Sequence, residues 1–344
     1  MARPTLWLVG IAAIVIAVVA FTRITDSVPG LSSPTTAVST SEHDIAAPGT
    51  ATPDTTTSVS SVTDATTVPT VTLPPGREAC DVYSEINENG KVVSTALVEA
   101  SGLAVSRVAP DVLWSHNDSR DAAVLYAMTP TGEDLGRIKL PGAFAFDWED
   151  MAAGPDATGA GQYLYVGDIG DNFNIRGGQV AVYRVPDGDP ETIGDTFPEV
   201  VSLPYRYPDG PHNAEALFID PIDPALYLVT KSTDEAFVFR GSLAQVGDGP
   251  MELELIATLF LGAEVSSADI SWDGGIIAFR GYSSVWMWTR DPGQSVADAL
   301  SGQPCQAPAP DERQGEAIAF DAQLAYWTVS EGLEPEIHVV SADL

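Results

Sequence analysis

Cationic residues are scarce in this 344-residue chain: 16 Lys and Arg stand against 48 Asp and Glu, a formal charge of −32. Contact with phosphate needs clustered Lys and Arg that displace counterions, so nucleic acid and anionic headgroups are excluded as partners. Cysteine is scarcer still. Cys80 and Cys305 are the only two, too few for a disulfide scaffold or a four-thiolate zinc site, yet enough for one bridge if the chain leaves the cytoplasm. Histidine occurs four times. No Gly-x-Ser-x-Gly, His-Glu-x-x-His or Gly-x-x-x-x-Gly-Lys string is present, which removes the usual hydrolase-elbow, zincin and P-loop signatures. Beyond the first residues, no stretch carries a long 3.6-residue apolar period.

What is present begins with one apolar run, Leu6 to Phe21, flanked by Arg3 and Arg23. A helix of that length nearly crosses a hydrocarbon layer about 30 Å thick. Residues 1–23 therefore read as a single-pass membrane anchor with its N-terminus inside and the rest exported. A cleaved signal peptide, with Val18 and Ala20 before the cut, is the alternative and would make the protein secreted. Residues 24–77 are rich in Ser, Thr and Pro. Such a composition buries too little apolar surface to offset the entropy of ordering, so this stretch is expected to be a disordered stalk.

Residues 78–344 contain a repeat. Five segments look alike, centred on Leu103, Met151, Leu217, Ile270 and Ile318, at steps of 48, 66, 53 and 48 residues. Each is followed by a second apolar strand (VLWSHND, YLYVGDI, LYLVTKS, IIAFRGY, LAYWTVSE) and a third, and most by a weaker fourth. Four strands repeated at about 50 residues are the mark of a β-propeller. The expected fold is all-β, with five four-stranded blades, or six if the long step hides an irregular unit. The last repeat ends after three strands, so the segment KVVSTALVE (91–99) is expected to complete it and close the ring. Cys80 precedes that segment and Cys305 lies between the fourth and fifth blades, where a disulfide would latch the closure.

In such blades the start of the first strand and the end of the second lie on one face. That gathers Asp147, Glu149, Asp150, His212, Asn213, Glu215, Asp269, Arg313 and Glu316 from first strands. His116, Asn117, Asp118, Asp168, Asp171, Asn172, Lys231, Arg280 and Glu331 come from second strands. Converging carboxylates need protons, Lys or Arg, or a cation, and hard divalent ions suit oxygen ligands. Glu149, Asp150, Asp168, Asp171, Asn172, Glu215, Asp269 and Glu316 are the candidate ligands, with Ca²⁺ the candidate ion. A turn built of Asp, Asn and Gly, or carboxylates accepting backbone N–H groups, would give the same pattern. His116, Asn117, Asp118, His212, Asn213, Lys231, Arg280, Arg313 and Glu331 are the candidate ligand-binding residues. The three cations either clamp an anionic group or neutralise the acids.

HNDS (116–119), DWEDMA (147–152), LYVGDIGDN (164–172) followed by Arg176 and VYRV, HNAEAL (212–217), LVTK (228–231), and QGEAIAF with SEG (330–332) resemble a group of exported actinobacterial β-propeller proteins. The resemblance spans about residues 97–335. More distantly the chain is similar to phytase-like and SdiA-regulated propellers. The phytase-like resemblance implies calcium in an acidic funnel and hydrolysis of phosphomonoesters. Two functions are thus expected. The first is a membrane-tethered, monomeric, extracytoplasmic module that binds a cell-surface ligand or small molecule. The second is a calcium-dependent phosphoester or ester hydrolase.

Overall fold

Five sheets, antiparallel except where Met251–Glu252 adds a short parallel strand to the edge of the second, run outward from a central channel in a computed structural model covering residues 70–344 other than Arg120, Val246 and Asp248. The anchor and nearly all of the stalk lie outside the described residues. Blade 1 comprises Ala100–Val105, Leu113–Asn117, Val124–Met128 and Asp134–Lys139. Blade 2 comprises Trp148–Pro155, Gln162–Asp168, Gln179–Pro186 and Val201–Arg206, and blade 3 Ala214–Asp220, Ala225–Thr230, Ala236–Ser242 and Glu254–Leu259. Blade 4 comprises Ser267–Ile270, Ile276–Gly281, Ser284–Thr289 and Cys305–Ala307. Blade 5 is made of Gly315–Phe320, Tyr326–Ser330 and Glu336–Ala342, with Tyr83–Lys91 as its outermost strand. Among the described residues, no helix is long and apolar enough to cross a membrane.

Position in the blade dictates composition. The innermost strands are buried at every residue because neighbours crowd both faces, so they are built of small and apolar side chains. Outermost strands face solvent: Asp134–Lys139 is exposed except at Ile138. The core consists of five apolar clusters, one between each pair of adjacent blades, and the last joins blade 5 to blade 1 through residues such as Leu103, Tyr126, Ala319 and Val329. The ring is therefore closed by packing as well as by strand pairing.

The closing strand is not the segment expected from sequence. Tyr83–Lys91 pairs antiparallel with Glu336–Ala342, while residues 92–99 form an irregular connection that buries Val92 and Leu97. The reason is exposure. An outermost strand needs few apolar residues, so YSEINENGK carries no apolar signature, whereas the apolar connection plugs the junction of blades 5 and 1. Cys80, just upstream, is disulfide-bonded to Cys305 on the outermost strand of blade 4, across a sequence separation of 225 residues. In the chain-entropy model a closed loop of that size contributes about 5 kcal/mol.

We call the face where the innermost strands begin the upper face. In blades 1, 2, 3 and 5 the pairing of the first two strands slips there, between Ala100 and Gly102, Trp148 and Met151, Ala214 and Ala216, and Gly315 and Ala317. Blade 4 pairs Ser267–Ile270 with no slip. A slip of this kind is a β-bulge, which re-aims a side chain. The residues so re-aimed are Ser101, Glu149, Glu215 and Glu316. On the lower face the chain arrives from the stalk: the N–H of Val71 donates to the carbonyl of Ala322 in the turn after the innermost strand of blade 5, and that of Ala79 to Thr289 Oγ1. Val71 and Leu73 pack against the cluster between blades 4 and 5.

Candidate functional site

The bulges converge on a pocket of about 90 Å³ at the upper end of the channel, lined by polar groups that include Ser101, Asp118, Glu149, Asn172, Glu215, Lys231, Tyr282, Gln314, Glu316 and Glu331. Seven of these belong to the polar face read from the sequence. Ser101, Tyr282 and Gln314 do not, although Ser101 occupies in blade 1 the register that Glu149, Glu215 and Glu316 occupy in theirs. Blade 4, lacking the bulge, contributes Tyr282 and no carboxylate from its innermost strand.

The two sides of the pocket differ. On the blade 3 side, Lys231 Nζ donates to Glu215 Oε2 at 2.7 Å and sits 5.3 Å from the centre of the Tyr282 ring. Asn213 Nδ2 donates to the other oxygen of Glu215 at 3.1 Å. Burial lowers the Lys231 pKa, but Glu215 outweighs it and the net shift is upward. On the blade 5 side, Gln314 Nε2 donates to Glu316 Oε1 at 2.6 Å, and burial still pushes the Glu316 carboxyl up to about 8. Burial, then the neighbouring Glu99, raise Glu331 as well, while Lys231 and Arg313 pull against them. Arg313 itself is exposed outside the lining.

Across from them, oxygens of Asp118, Asp147 and Glu149 lie within 4.8 Å of one another. Glu149 is only 4% exposed and accepts no side-chain or backbone hydrogen bond among the described residues, and Asp118 Oδ1 is buried without a partner among them. Burial, followed by the neighbouring Glu215 and Asp118, raises the Glu149 pKa well above the ordinary carboxylate range. Burial and the Asp147 charge push Asp118 up to about 7, and burial raises Asp147 too. Gly170 makes the approach possible: a Cβ there would stand 2.0 Å from Glu149 Oε1 and 2.5 Å from Asp147 Oδ2. One buried and two half-buried carboxylates at this spacing are an oxygen-rich donor set of the kind that hard divalent cations take. Asp147, two residues before Glu149 and on the same side of the chain, joins this group although it was not among the candidate ligands.

Several candidates lie elsewhere. Asp150 points into the channel below the mouth, where its carboxylate accepts the N–H groups of Met151, Leu217 and Ala268 and the hydroxyl of Ser267, tying blades 2, 3 and 4 together. Asp269 lies lower still: the Leu217 N–H donates to Asp150 and the matching Ile318 N–H to Ser267, so Ser267 is the counterpart of Asp150 in blade 4 and Asp269 is two residues further down the strand. It accepts the Phe320 N–H, and burial pushes it up to about 7. Asp168 is engaged by the Arg176 guanidinium and the Asp147 N–H. Asp171 caps its own turn by accepting from Ile175 N and Arg176 N, so the densest acidic run is a loop brace. Asn172 lines the pocket.

Asn117 accepts from Val98 N and Glu99 N and donates to the Ala96 carbonyl, pinning the connection that precedes blade 1. His116 is fully buried edge-on to Trp148, and burial drops its pKa to about 4. His212 bonds Asp209 within an aromatic cluster of Tyr207, Phe237 and Phe239. Arg280 is completely buried against Glu312 and Gly315, sealed off from the pocket. Both histidines were placed by strand register alone, which does not show that an aromatic neighbour will claim the ring.

Apolar side chains surround the mouth. All four strongly exposed phenylalanines among the described residues, Phe144, Phe146, Phe173 and Phe260, lie on upper-face loops, as do Ile175 and Leu333. Arg176 stacks on Phe146, 4.7 Å from the ring centre.

No protein-family model matches the chain, and no curated protein does. Among solved structures it is similar to the PQQ-bound aldose sugar dehydrogenase from Streptomyces coelicolor, at 13% identity and TM-score 0.43, covering 78% of this chain and 100% of that one. It is similar also to a gluconolactonase from Xanthomonas campestris, at 15% and 0.41, covering 71% and 72% of the two chains. A calcium-binding protein, regucalcin, from Agrobacterium tumefaciens gives 10% and 0.41, covering 74% and 95%. These neighbours are β-propeller proteins. At such distances none lends this chain an activity, and its five-bladed architecture rests on its own sheets.

Proposed function

We propose that this chain is a membrane-tethered, extracytoplasmic binding propeller whose mouth holds a divalent cation, calcium by the hardness of its donors, on Asp118, Asp147 and Glu149. The observation that carries the reading is Glu149, a carboxylate that is 4% exposed, accepts no hydrogen bond among the described residues and lines the pocket. A buried carboxylate left without donors is costly, and a cation offsets that cost. The size of the pocket favours the binder over the hydrolase. Its 90 Å³ accommodates an ion and a few waters, well short of the roughly 300 Å³ or more at which small-molecule sites begin. A ligand therefore rests above the cation, an oxygen-bearing group completing the coordination and apolar parts lying on Phe144, Phe146 and Phe173. The Cys80–Cys305 bridge supports an oxidising compartment.

Isothermal titration of chelator-stripped protein with calcium tests this. One saturable site is expected, weakened at least tenfold by Asp118→Asn. Absence of calcium binding, or equal affinity in the variant, overturns it. Chelator-sensitive turnover of phosphate or carboxylate esters would favour the hydrolase instead.

A further inference from the structure

A second group of metal-ligating side chains lies away from the mouth, on the seam where the ring closes. Glu336 and His338 are two residues apart on one strand and share a face of blade 5. Glu88, on the closing strand, is the direct cross-strand partner of His338, beside the register slip between Glu88 and Gly90. One ligand atom from each of the three lies within 4.8 Å of the others.

The imidazole is what makes this group more than a cluster of acids. His338 is 6% exposed, and its Nδ1 is 2.8 Å from Glu312 Oε1. Glu312 is a buried carboxylate that also takes Thr328 Oγ1 and the Arg280 guanidinium. A carboxylate accepts, so Nδ1 donates to Glu312 and Nε2 is the ring nitrogen turned outward. The nearest charged atom to Nε2 is Glu336 Oε2 at 3.7 Å. Nε2 and the oxygens of Glu88 and Glu336 thus face one another, and the Lys91 ammonium reaches the other oxygen of Glu336. A carboxylate behind an imidazole with two more carboxylates in front is how protein metal sites orient a histidine. The 3.7 Å separation is close to the roughly 3.4 Å edge of a tetrahedron with 2.1 Å metal–ligand bonds.

The geometry points to a site for a zinc-type divalent transition metal on Glu88, Glu336 and His338, open to solvent on the fourth side. The nitrogen ligand and low ligand count favour zinc over calcium. Bound there, the ion joins the closing strand to the C-terminal strand and acts as a second latch beside the disulfide.

The test uses the full chain stripped with chelator. Zinc titrated by calorimetry should fill one site and raise the thermal midpoint, and cobalt in its place should show the visible absorption of a tetrahedral centre. Glu88→Gln, at an exposed position, should lower zinc affinity at least tenfold, while Glu149→Gln at the mouth should leave it unchanged. The proposal is overturned if zinc does not bind, or if its affinity survives Glu88→Gln undiminished, wherever the ion then resides. The calcium titration above is independent of both outcomes.

Discussion

Glu149 and Asp150 are adjacent, both buried, both at the start of the same innermost strand, and the propeller treats them as opposites. Asp150 is surrounded by four donors from three blades and touches no solvent. Glu149, turned upward by the bulge, has none among the described residues. A buried carboxylate with a full set of donors is a strut, because removing it strands every N–H it served. One without donors is a demand for positive charge. The identity of the side chain says nothing about which it is; the count of donors around it does.

The contrast makes the largest prediction. Asp150→Asn keeps one acceptor oxygen but turns an amide NH₂ toward backbone N–H groups, which thereby lose their acceptor. It should cost about 3 kcal/mol or more in denaturant unfolding. Glu149→Gln should cost little in the same assay with chelator present, and equal losses would erase the distinction.

Calcium gives the next effect. Excess ion a hundredfold above Kd should stabilise the wild-type protein by about 2.7 kcal/mol, and Glu149→Gln should remove that gain in scanning calorimetry. A smaller effect concerns Glu215, intermediate between the two because Lys231 and Asn213 serve it. Lys231→Met should destabilise by about 1–2 kcal/mol in chelator and by less in calcium. A loss that is the same in both conditions would show that the ion and the lysine do not share a field.

The pH dependence is the finest test. Burial holds Asp118 near 7 and Glu316 near 8, above the range near 4 of an unfolded chain. The native state therefore binds more protons than the unfolded state between those limits. That contribution to stability is complete below about pH 4 and is lost as pH rises through 7 and 8. In chelator, the thermal midpoint should fall over that window, and Asp150, whose carboxyl burial also raises against its hydrogen bonds, contributes in the same direction. Calcium must displace protons from Asp118 and its neighbours, so binding should release protons at pH 6.5 and tighten toward pH 8. Calorimetry in two buffers of different ionisation heat measures that release. A midpoint flat from pH 5 to 8 would mean that the mouth carboxylates are not shifted as their burial demands.

The blades were legible in the sequence because an innermost strand must be small and apolar over most of its length, and five such segments recur at Leu103, Met151, Leu217, Ile270 and Ile318. The closing strand was not, since Tyr83–Lys91 lies at an edge where solvent relaxes every compositional demand. Glu149, Glu215 and Glu316 could be placed together from spacing. Asp269 was grouped with them because a one-residue bulge leaves no trace in composition, and its absence from blade 4 moves that carboxylate down the channel. His212 and Arg280 show the other limit. Strand register predicts which face a residue starts from, but the aromatic cluster and the Glu312 carboxylate that capture these two come from other segments of the chain.

The route of residues 71–79 across the lower face settles a question of access. The covalent connection to everything upstream departs on the side of the ring that carries no mouth. Residues 71–79 themselves therefore leave the acidic opening and the exposed phenylalanines of the upper face unobstructed.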